Sequence, residues 1–345
     1  MDDFTNIARI LILFAIAFVV TILWTPLLTH FLYKYKLGKQ IRTEGAPIYR
    51  KMHQKKEKTP TMGGLLIWLT TLVLAVLFWL LAQGTASPLL DKLNFLTRAE
   101  TLLPLGALGI SALIGLFDDI LGIKRIGPKG GGFRMRHRIF LYLAVALGGA
   151  WWFFYKLDWD LIHVPGLGDF YIGWWYLPIF AFIIFATAFS TNETDGLDGL
   201  AGGVLLIAYA AYGVIAYTQG KTDLAVFCAV IAGCLLAFLW FNIYPARFFM
   251  GDTGSMSLGV TLGVVAMLTN SILVLPLIAF ILVLESASVI IQITSRKIFG
   301  RKVFLSTPIH HHFEARGWPE SKVTMRFWII AGVIASLGLI IGLIG

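Results

Sequence analysis

The sequence predicts an all-α, polytopic membrane protein built as a bundle of about ten transmembrane helices, and three observations carry that reading. Of its 345 residues, 58% are hydrophobic and only 14% charged, whereas a soluble domain carries charge on about 25%. Apolar runs of bilayer-crossing length recur from end to end, and ten of them at ~20 residues each, with their loops, account for the chain. No run alternates as a barrel strand does, and an open sheet edge cannot face lipid, so the spans read as helices.

The spans fall at 8–33, 61–83, 101–117, 139–157, 174–190, 199–218, 222–242, 255–270, 271–295 and 326–344. The first follows an acidic start, Met1-Asp2-Asp3, with no small-residue cleavage site after it, so it is expected to stay in place as a span. Before the second, Thr59 suits the N-cap and Pro60 the first helical position. The third runs into Asp118-Asp119, and the fourth follows a glycine-rich, basic loop. The fifth and sixth flank an acidic loop, Asn192-Glu193-Thr194-Asp195-Gly196-Leu197-Asp198-Gly199. In the seventh, Cys228 and Cys234 lie ~9 Å apart along a helix axis, too far for a disulfide, and both read as core residues. The eighth and ninth nearly abut at Asn270-Ser271, which demands a very short turn. The tenth follows the last basic loop. No internal repeat stands out, and residues 1–345 read as one integral-membrane domain.

Net charge is +9. In a soluble protein that would suggest a nucleic-acid partner; here the distribution of charge explains it without one. Alternate loops, at 34–58, 118–138, 191–198, 243–254 and 296–326, hold 23 of the 28 Lys and Arg residues. The positive-inside rule puts these loops in the cytoplasm and both termini outside. Every conspicuous polar cluster falls in the same cytoplasmic set.

The acidic loop is the centre of that set: its carboxylates sit between two lipid-length runs, with no Lys or Arg from 157 to 220. Such a placement is costly unless a cation or a phosphate-linked group uses it. Asp118 and Asp119 stand at a helix C-terminal end, which disfavours carboxylates by roughly 0.3–1 kcal/mol each. A divalent metal relieves that, while a solvated acid pair is the plainer reading. In Phe249-Met250-Gly251-Asp252-Thr253-Gly254, Asp252 suits either a hard-cation ligand or a helix cap. Lys56 and Thr61 stand before the second span. The N-termini of the second, sixth and eighth spans are expected to aim free N–H groups at one anion, although the lysines also serve topology alone. Adjacent side chains diverge, so His310-His311-His312 favours phosphate or base contacts over one shared metal. Glu285 and Gln292 share a face of the ninth span, either inside a site or hydrogen-bonded to a neighbouring helix. Lys129-Gly130-Gly131-Gly132, with Arg134, Arg136 and Arg138, either grips phosphates or lies on an anionic leaflet.

Together these pieces resemble the polyprenyl-phosphate N-acetylhexosamine-1-phosphate transferases. The resemblance is carried by Thr59-Pro60-Thr61-Met62-Gly63-Gly64, Phe117-Asp118-Asp119, Asn192 to Leu200, Phe241-Asn242, Phe249-Met250-Gly251-Asp252 and Pro308-Ile309-His310-His311-His312-Phe313-Glu314. The triple histidine with Gly317-Trp318-Pro319 favours the muramoyl-pentapeptide branch. Three positions depart from the family pattern: Phe189 where an Asn is usual, Gly122 where a Lys is usual, and Lys58 where a Gly is usual.

The resemblance implies a ten-helix bundle, a homodimer in the bacterial cytoplasmic membrane, and a site open to the cytoplasm. It implies Mg²⁺ held chiefly by Asp252, with Asp195 a second candidate and Asp118 and Asp119 close by as catalytic residues. It implies a nucleotide pocket of Lys56, Asn192, Asp195, Gly196, Asp198, Asn242, Phe249 and Gln292, with Phe249 stacked on uracil. His310 and His311 would lie near the nucleotide, and Thr61 and His312 join the substrate-binding set. Arg134 and Arg136 would hold the diphosphate or the lipid phosphate. The implied reaction moves phospho-N-acetylmuramoyl-pentapeptide from its UDP-linked form to undecaprenyl phosphate, releasing UMP. A UDP-N-acetylglucosamine-1-phosphate transferase is the alternative within the class. A secondary transporter is the alternative outside it, and that fold calls for midplane carboxylates and a repeat.

Overall fold

All ten long runs are helical in the computed structural model, which describes residues 2–38, 56, 59–85, 87–98, 100–127 and 131–345. Lys58, Lys129 and Gly130, which the sequence reading placed in phosphate-facing segments, lie outside the described residues. The order is α1 (Asp2–Lys34), α2 (Leu65–Gly84), α3 (Pro88–Leu93), α4 (Leu102–Ile123), α5 (Met135–Lys156), a hairpin of β1 (Leu161–Val164) and β2 (Gly168–Tyr171), α6 (Tyr176–Thr194), α7 (Leu200–Thr218), α8 (Thr222–Asn242), α9 (Gly251–Leu268), α10 (Leu275–Ile278), α11 (Phe280–Phe299), α12 (Ile309–Ala315) and α13 (Glu320–Ile344). The chain is an all-α, multi-pass membrane protein. Among the described residues eight helices are long and apolar enough to cross a bilayer: α1, α2, α4, α5, α6, α7, α8 and α13.

The other two long helices fall short in composition for different reasons. Every residue of α9 except Asp252 is buried. A helix enclosed by protein does not need apolar residues to face lipid, so α9 can be rich in Gly, Ser and Thr. Those small residues let its neighbours approach backbone to backbone. A Cβ on Gly115 of α4 would lie 2.3 Å from the Asp252 carbonyl oxygen, and one on Gly259 would lie 2.7 Å from the Thr187 oxygen of α6. Thr253 ties the layers together: its hydroxyl donates to Ala112 O of α4 at 2.9 Å and accepts from Trp68 Nε1 of α2 at 3.1 Å. α11 instead carries Glu285, Gln292, Arg296 and Lys297, with the first two buried.

Three local expectations are corrected, and one element is new. The second helix starts at Leu65, with Gly64 at the N-cap position, not at Thr59-Pro60. Residues 59–64 lie outside the helix instead and turn at Gly63-Gly64: Phe249 N–H donates to Pro60 O, and Gly63 and Gly64 N–H donate to Phe249 O and Met250 O, each at 2.8 Å. Pairing with another segment outweighed the local cap signal. α4 runs six residues past its expected end, so Asp118 and Asp119 lie inside the helix. The ninth span does not begin at 271, because α10 and a break at Ala279 intervene before α11. Finally, residues 161–171 form a hairpin at the end of the bundle remote from the carboxylates, where His163 N–H donates to Asn270 Oδ1 at 3.1 Å.

Candidate active site

Asp118 and Asp252 come from α4 and α9, whose close crossing at Gly115 sets them side by side. Arg138, in the first turns of α5, bridges them: Nε lies 2.6 Å from Asp118 Oδ2 and Nη2 lies 2.9 Å from Asp252 Oδ2. The remaining oxygen of each carboxylate is also engaged. Phe133 N–H donates to Asp118 Oδ1 at 2.6 Å, and Asn192 Nδ2 donates to Asp252 Oδ1 at 2.6 Å. Asp118 is buried, whereas 16% of the Asp252 side chain is exposed, so Asp252 is the solvent-facing member of the pair.

Asp119 does a different job. Its two oxygens accept the backbone N–H groups of Asp252 at 3.1 Å and Thr253 at 3.0 Å, with the Thr61 hydroxyl at 3.4 Å. It is a cap for α9 supplied from another helix, satisfying N–H groups that have no partner within the helix itself. Asp195 Oδ2 accepts Gly251 N–H at 3.2 Å. Gly251 holds φ at +76°, and a Cβ there would lie 2.6 Å from both Asp119 Oδ2 and Thr61 Oγ1, so only glycine fits. These bonds correct the expectation that three helix N-termini offer free N–H groups to one anion. At α9 the groups are held by Asp119 and Asp195. At α7, Gly199 N–H is held by Asn242 Oδ1 at 3.0 Å, and before α2 Gly63 and Gly64 are held by carbonyls.

A second cluster adjoins the first. Lys56 Nζ lies 2.6 Å from Asp198 Oδ1 and 2.5 Å from Glu320 Oε1, while Asp198 Oδ2 accepts Ala246 N–H at 3.0 Å. Burial pulls the Lys56 ammonium down, but Glu320 and Asp198 outweigh it and hold its pKa above the ordinary value. The same ammonium lies 5.8 Å from the centre of the Phe249 ring. Asn242 spends its amide on the backbone, donating to Phe248 O at 2.8 Å, so it shapes the loop that presents Phe249. Gln292 likewise pins the segment before α12, accepting Val303 and Phe304 N–H and donating to Phe304 O at 2.9 Å.

The histidines separate by role. His310 is fully buried, with Nδ1 2.9 Å from Glu285 Oε2 in an ion-pair contact rather than an aligned hydrogen bond. Burial opposes its charge and Glu285 outweighs burial, so its pKa is raised. Its Nε2 has no hydrogen-bond partner and faces Gly196, where a Cβ would lie 2.3 Å from it. His311 Nδ1 pairs with Glu314 at 2.7 Å. His312 points away, accepting Leu305 N–H at 3.1 Å.

The structure thus gathers Asp118, Asp119, Asp252, Asn192, Asp195 and Thr61 around the start of α9, with Lys56, Asp198 and Phe249 beside them. Arg134 and Arg136 lie exposed, without an ion pair among the described residues. Arg138, which the sequence treated as one more member of a basic loop, enters the cluster instead. Glu320 was not singled out at all. The available signal for Arg138 was its position as the last cation before an apolar run, where an inward-facing charge needs a partner. Among the described residues no three His, Cys, Asp or Glu side chains form a closed metal cage. Two facing carboxylates with hard oxygen donors nevertheless suit Mg²⁺, which takes one or two carboxylates and completes its shell with water and phosphate.

Comparison with known proteins gives the family. A glycosyl transferase family 4 model matches residues 101–270, and a phospho-N-acetylmuramoyl-pentapeptide-transferase signature matches residues 56–67. A protein of that name from Chloroflexus aggregans is 39% identical over 98% of this chain and 91% of its own. The chain belongs to the phospho-N-acetylmuramoyl-pentapeptide-transferase family. A relative from Geobacillus thermodenitrificans is 38% identical over 96% of this chain and 97% of its own, and one from Bacillus anthracis 36% over 96% and 98%. The family resemblance read from the motifs is borne out. In this transferase the signature falls on Lys56 and on the non-helical strip that pairs with Phe249-Met250, next to Asp252.

Proposed function

We propose that the chain transfers phospho-N-acetylmuramoyl-pentapeptide from its UDP-linked form to undecaprenyl phosphate, at the cytoplasmic face of the bacterial inner membrane. A lipid phosphate oxygen attacks the sugar-linked phosphorus, the bond to UMP breaks, and the lipid diphosphate-sugar remains in the bilayer. The observation that carries this reading is the Asp118–Asp252 pair, brought together from helices far apart in sequence at the end of the bundle where the basic loops gather. Asp252, with Asp118 and Asp195 nearby, would hold Mg²⁺, which when bound would supply charge neutralisation to the diphosphate.

The chain's own residues have separable tasks in this reaction. Asn192 orients Asp252 from its inner side, and Asp119 fixes the backbone that carries Asp252. The lipid phosphate is already largely dianionic at pH 7, so Asp118 positions it more than it deprotonates it. Phe249 offers its face to the uracil, with Lys56 beside it for the phosphate. The buried, unpartnered Nε2 of His310 supplies a contact to the nucleotide side of the substrate, next to Gly196. The protein is read as one domain of ten crossings, both termini outside, acting as a homodimer.

The test mixes purified protein with undecaprenyl phosphate, Mg²⁺ and either UDP-N-acetylmuramoyl-pentapeptide or UDP-N-acetylglucosamine. UMP release with the first alone is expected. Release with the second alone overturns the branch, and release with neither, from folded protein, overturns the transferase reading.

A further inference from the structure

We propose that the Arg138 guanidinium and the divalent cation are alternative occupants of the gap between Asp118 and Asp252, so that loading the cation releases Arg138 to hold a substrate phosphate. This rests on the metal role proposed for Asp252. Each carboxylate has one oxygen committed to a fixed neighbour, Phe133 N–H on Asp118 and Asn192 on Asp252. The other oxygen of each, Oδ2, is the one that faces Arg138, at 2.6 and 2.9 Å. A Mg²⁺ ion needs oxygen at about 2.0–2.1 Å. A cation bound to both Oδ2 atoms takes the position between them that the guanidinium now fills, so the two compete for one space and one pair of charges.

Arg138 is well placed to leave. It lies in the first turn of α5, a few residues after Gly131 and Gly132, and 14% of its side chain is exposed. Released from the carboxylates, its planar fork matches a phosphate, which it can grip through two hydrogen bonds. The exchange makes metal and phosphate binding help each other: the cation frees the arginine, and the phosphate keeps it from returning. Until then, the arginine keeps two neighbouring carboxylates from repelling each other inside the bundle.

Arginine-selective labelling with phenylglyoxal, read by mass spectrometry on the full-length protein, tests this directly. In EDTA, Arg138 is expected to label slowly while exposed Arg134 and Arg136 label fast and serve as internal references. Mg²⁺ is expected to raise labelling of Arg138 by about fivefold or more, the lower range of typical site-to-site coupling, and to leave the references unchanged. Unchanged or slower labelling of Arg138 overturns the proposal. With Mg²⁺ present, undecaprenyl phosphate and UDP-N-acetylmuramoyl-pentapeptide are then added separately. The one that restores protection supplies the phosphate, and protection by neither overturns the second step. Mn²⁺ binding followed by electron paramagnetic resonance provides an independent arm: Arg138→Gln is expected to bind at least ~5-fold more tightly, and equal or weaker binding counts against exchange. Asp252→Asn is the control that separates the two readings. If it binds Mn²⁺ as well as wild type, the metal role of Asp252 falls; if it does not bind, yet Arg138 labelling in the wild type ignores Mg²⁺, only the exchange falls.

Discussion

At the scale of single residues, three aspartates that look alike in sequence have three environments. Asp252 is the partly exposed one, braced by Asn192 and facing Asp118. Asp252→Asn keeps the shape and the hydrogen bond but removes the charge, so turnover is expected to fall to background; appreciable Mg²⁺-dependent UMP release from that variant would end its assigned role. Asp119 is occupied by two backbone N–H groups of α9. Its loss to Ala is therefore expected to cost stability as a lost cap does, about 0.5–2 kcal/mol, seen as a lower melting temperature as well as lower activity. His310 gives a pH signature. Its raised pKa reflects Glu285 from α11, with Glu314 on its own helix and Glu193 from α6 adding to it. A base raised on folding contributes stability that is full below its unfolded pKa and fades as pH climbs through the folded one. The melting-temperature gap between wild type and His310→Gln is thus expected to be widest below pH 6.5 and to narrow above it. A gap that widens with pH would contradict the His310–Glu285 pairing. Of these residues the sequence pointed to every aspartate, because acids beside apolar runs stand out. It did not single out Arg138 or Glu320, because a cation in a basic loop looks the same whether it faces solvent or a carboxylate.

At the scale of elements, the arrangement depends on how closely α4 and α9 approach. A Cβ on Gly115 would meet the Asp252 carbonyl oxygen at 2.3 Å, backbone that cannot swing aside as a flexible side chain can. Gly115→Ala is expected to push the helices apart and misplace Asp118 relative to Asp252. Displacements of about 1 Å cost roughly 10²-fold in rate at well-aligned sites, so kcat should fall far more than substrate affinity. Normal kcat with a normal melting temperature would show the crossing to be less tight than described. Such contacts explain where the sequence reading went astray. Helix existence followed from hydropathy, which is local. The start of α2 did not, because the Thr59-Pro60 cap signal lost to pairing of residues 60–64 with Phe249 and Met250, nearly two hundred positions away. The interrupted entry to α11 was hidden as well, since an apolar run looks continuous whether or not the backbone breaks at Ala279.

At the scale of the whole molecule, the charge census and the fold make one joint claim about sidedness. The loop between α11 and α12 belongs to the cation-rich set and leads to His310, whereas the β1–β2 hairpin sits at the other end of the bundle. Five long helices, α6, α7, α8, α9 and α11, separate the hairpin from that loop. Five is odd, so the two positions must face opposite compartments if each helix crosses. Leaving out α9 and α11, which fall short in apolar composition, removes two crossings and keeps the parity. The native cysteines do not interfere with a labelling test, because Cys228 and Cys234 are fully buried. Single cysteines at exposed Leu167, in the hairpin, and exposed Lys302, before α12, therefore report the orientation cleanly. A membrane-impermeant maleimide is expected to label Leu167→Cys in intact cells and Lys302→Cys only after permeabilisation. The reverse pattern would invert the bundle and put the Asp118–Asp252 pair on the side of the membrane away from cytoplasmic nucleotide, and equal labelling of both in intact cells would break the parity on which the ten-helix reading stands.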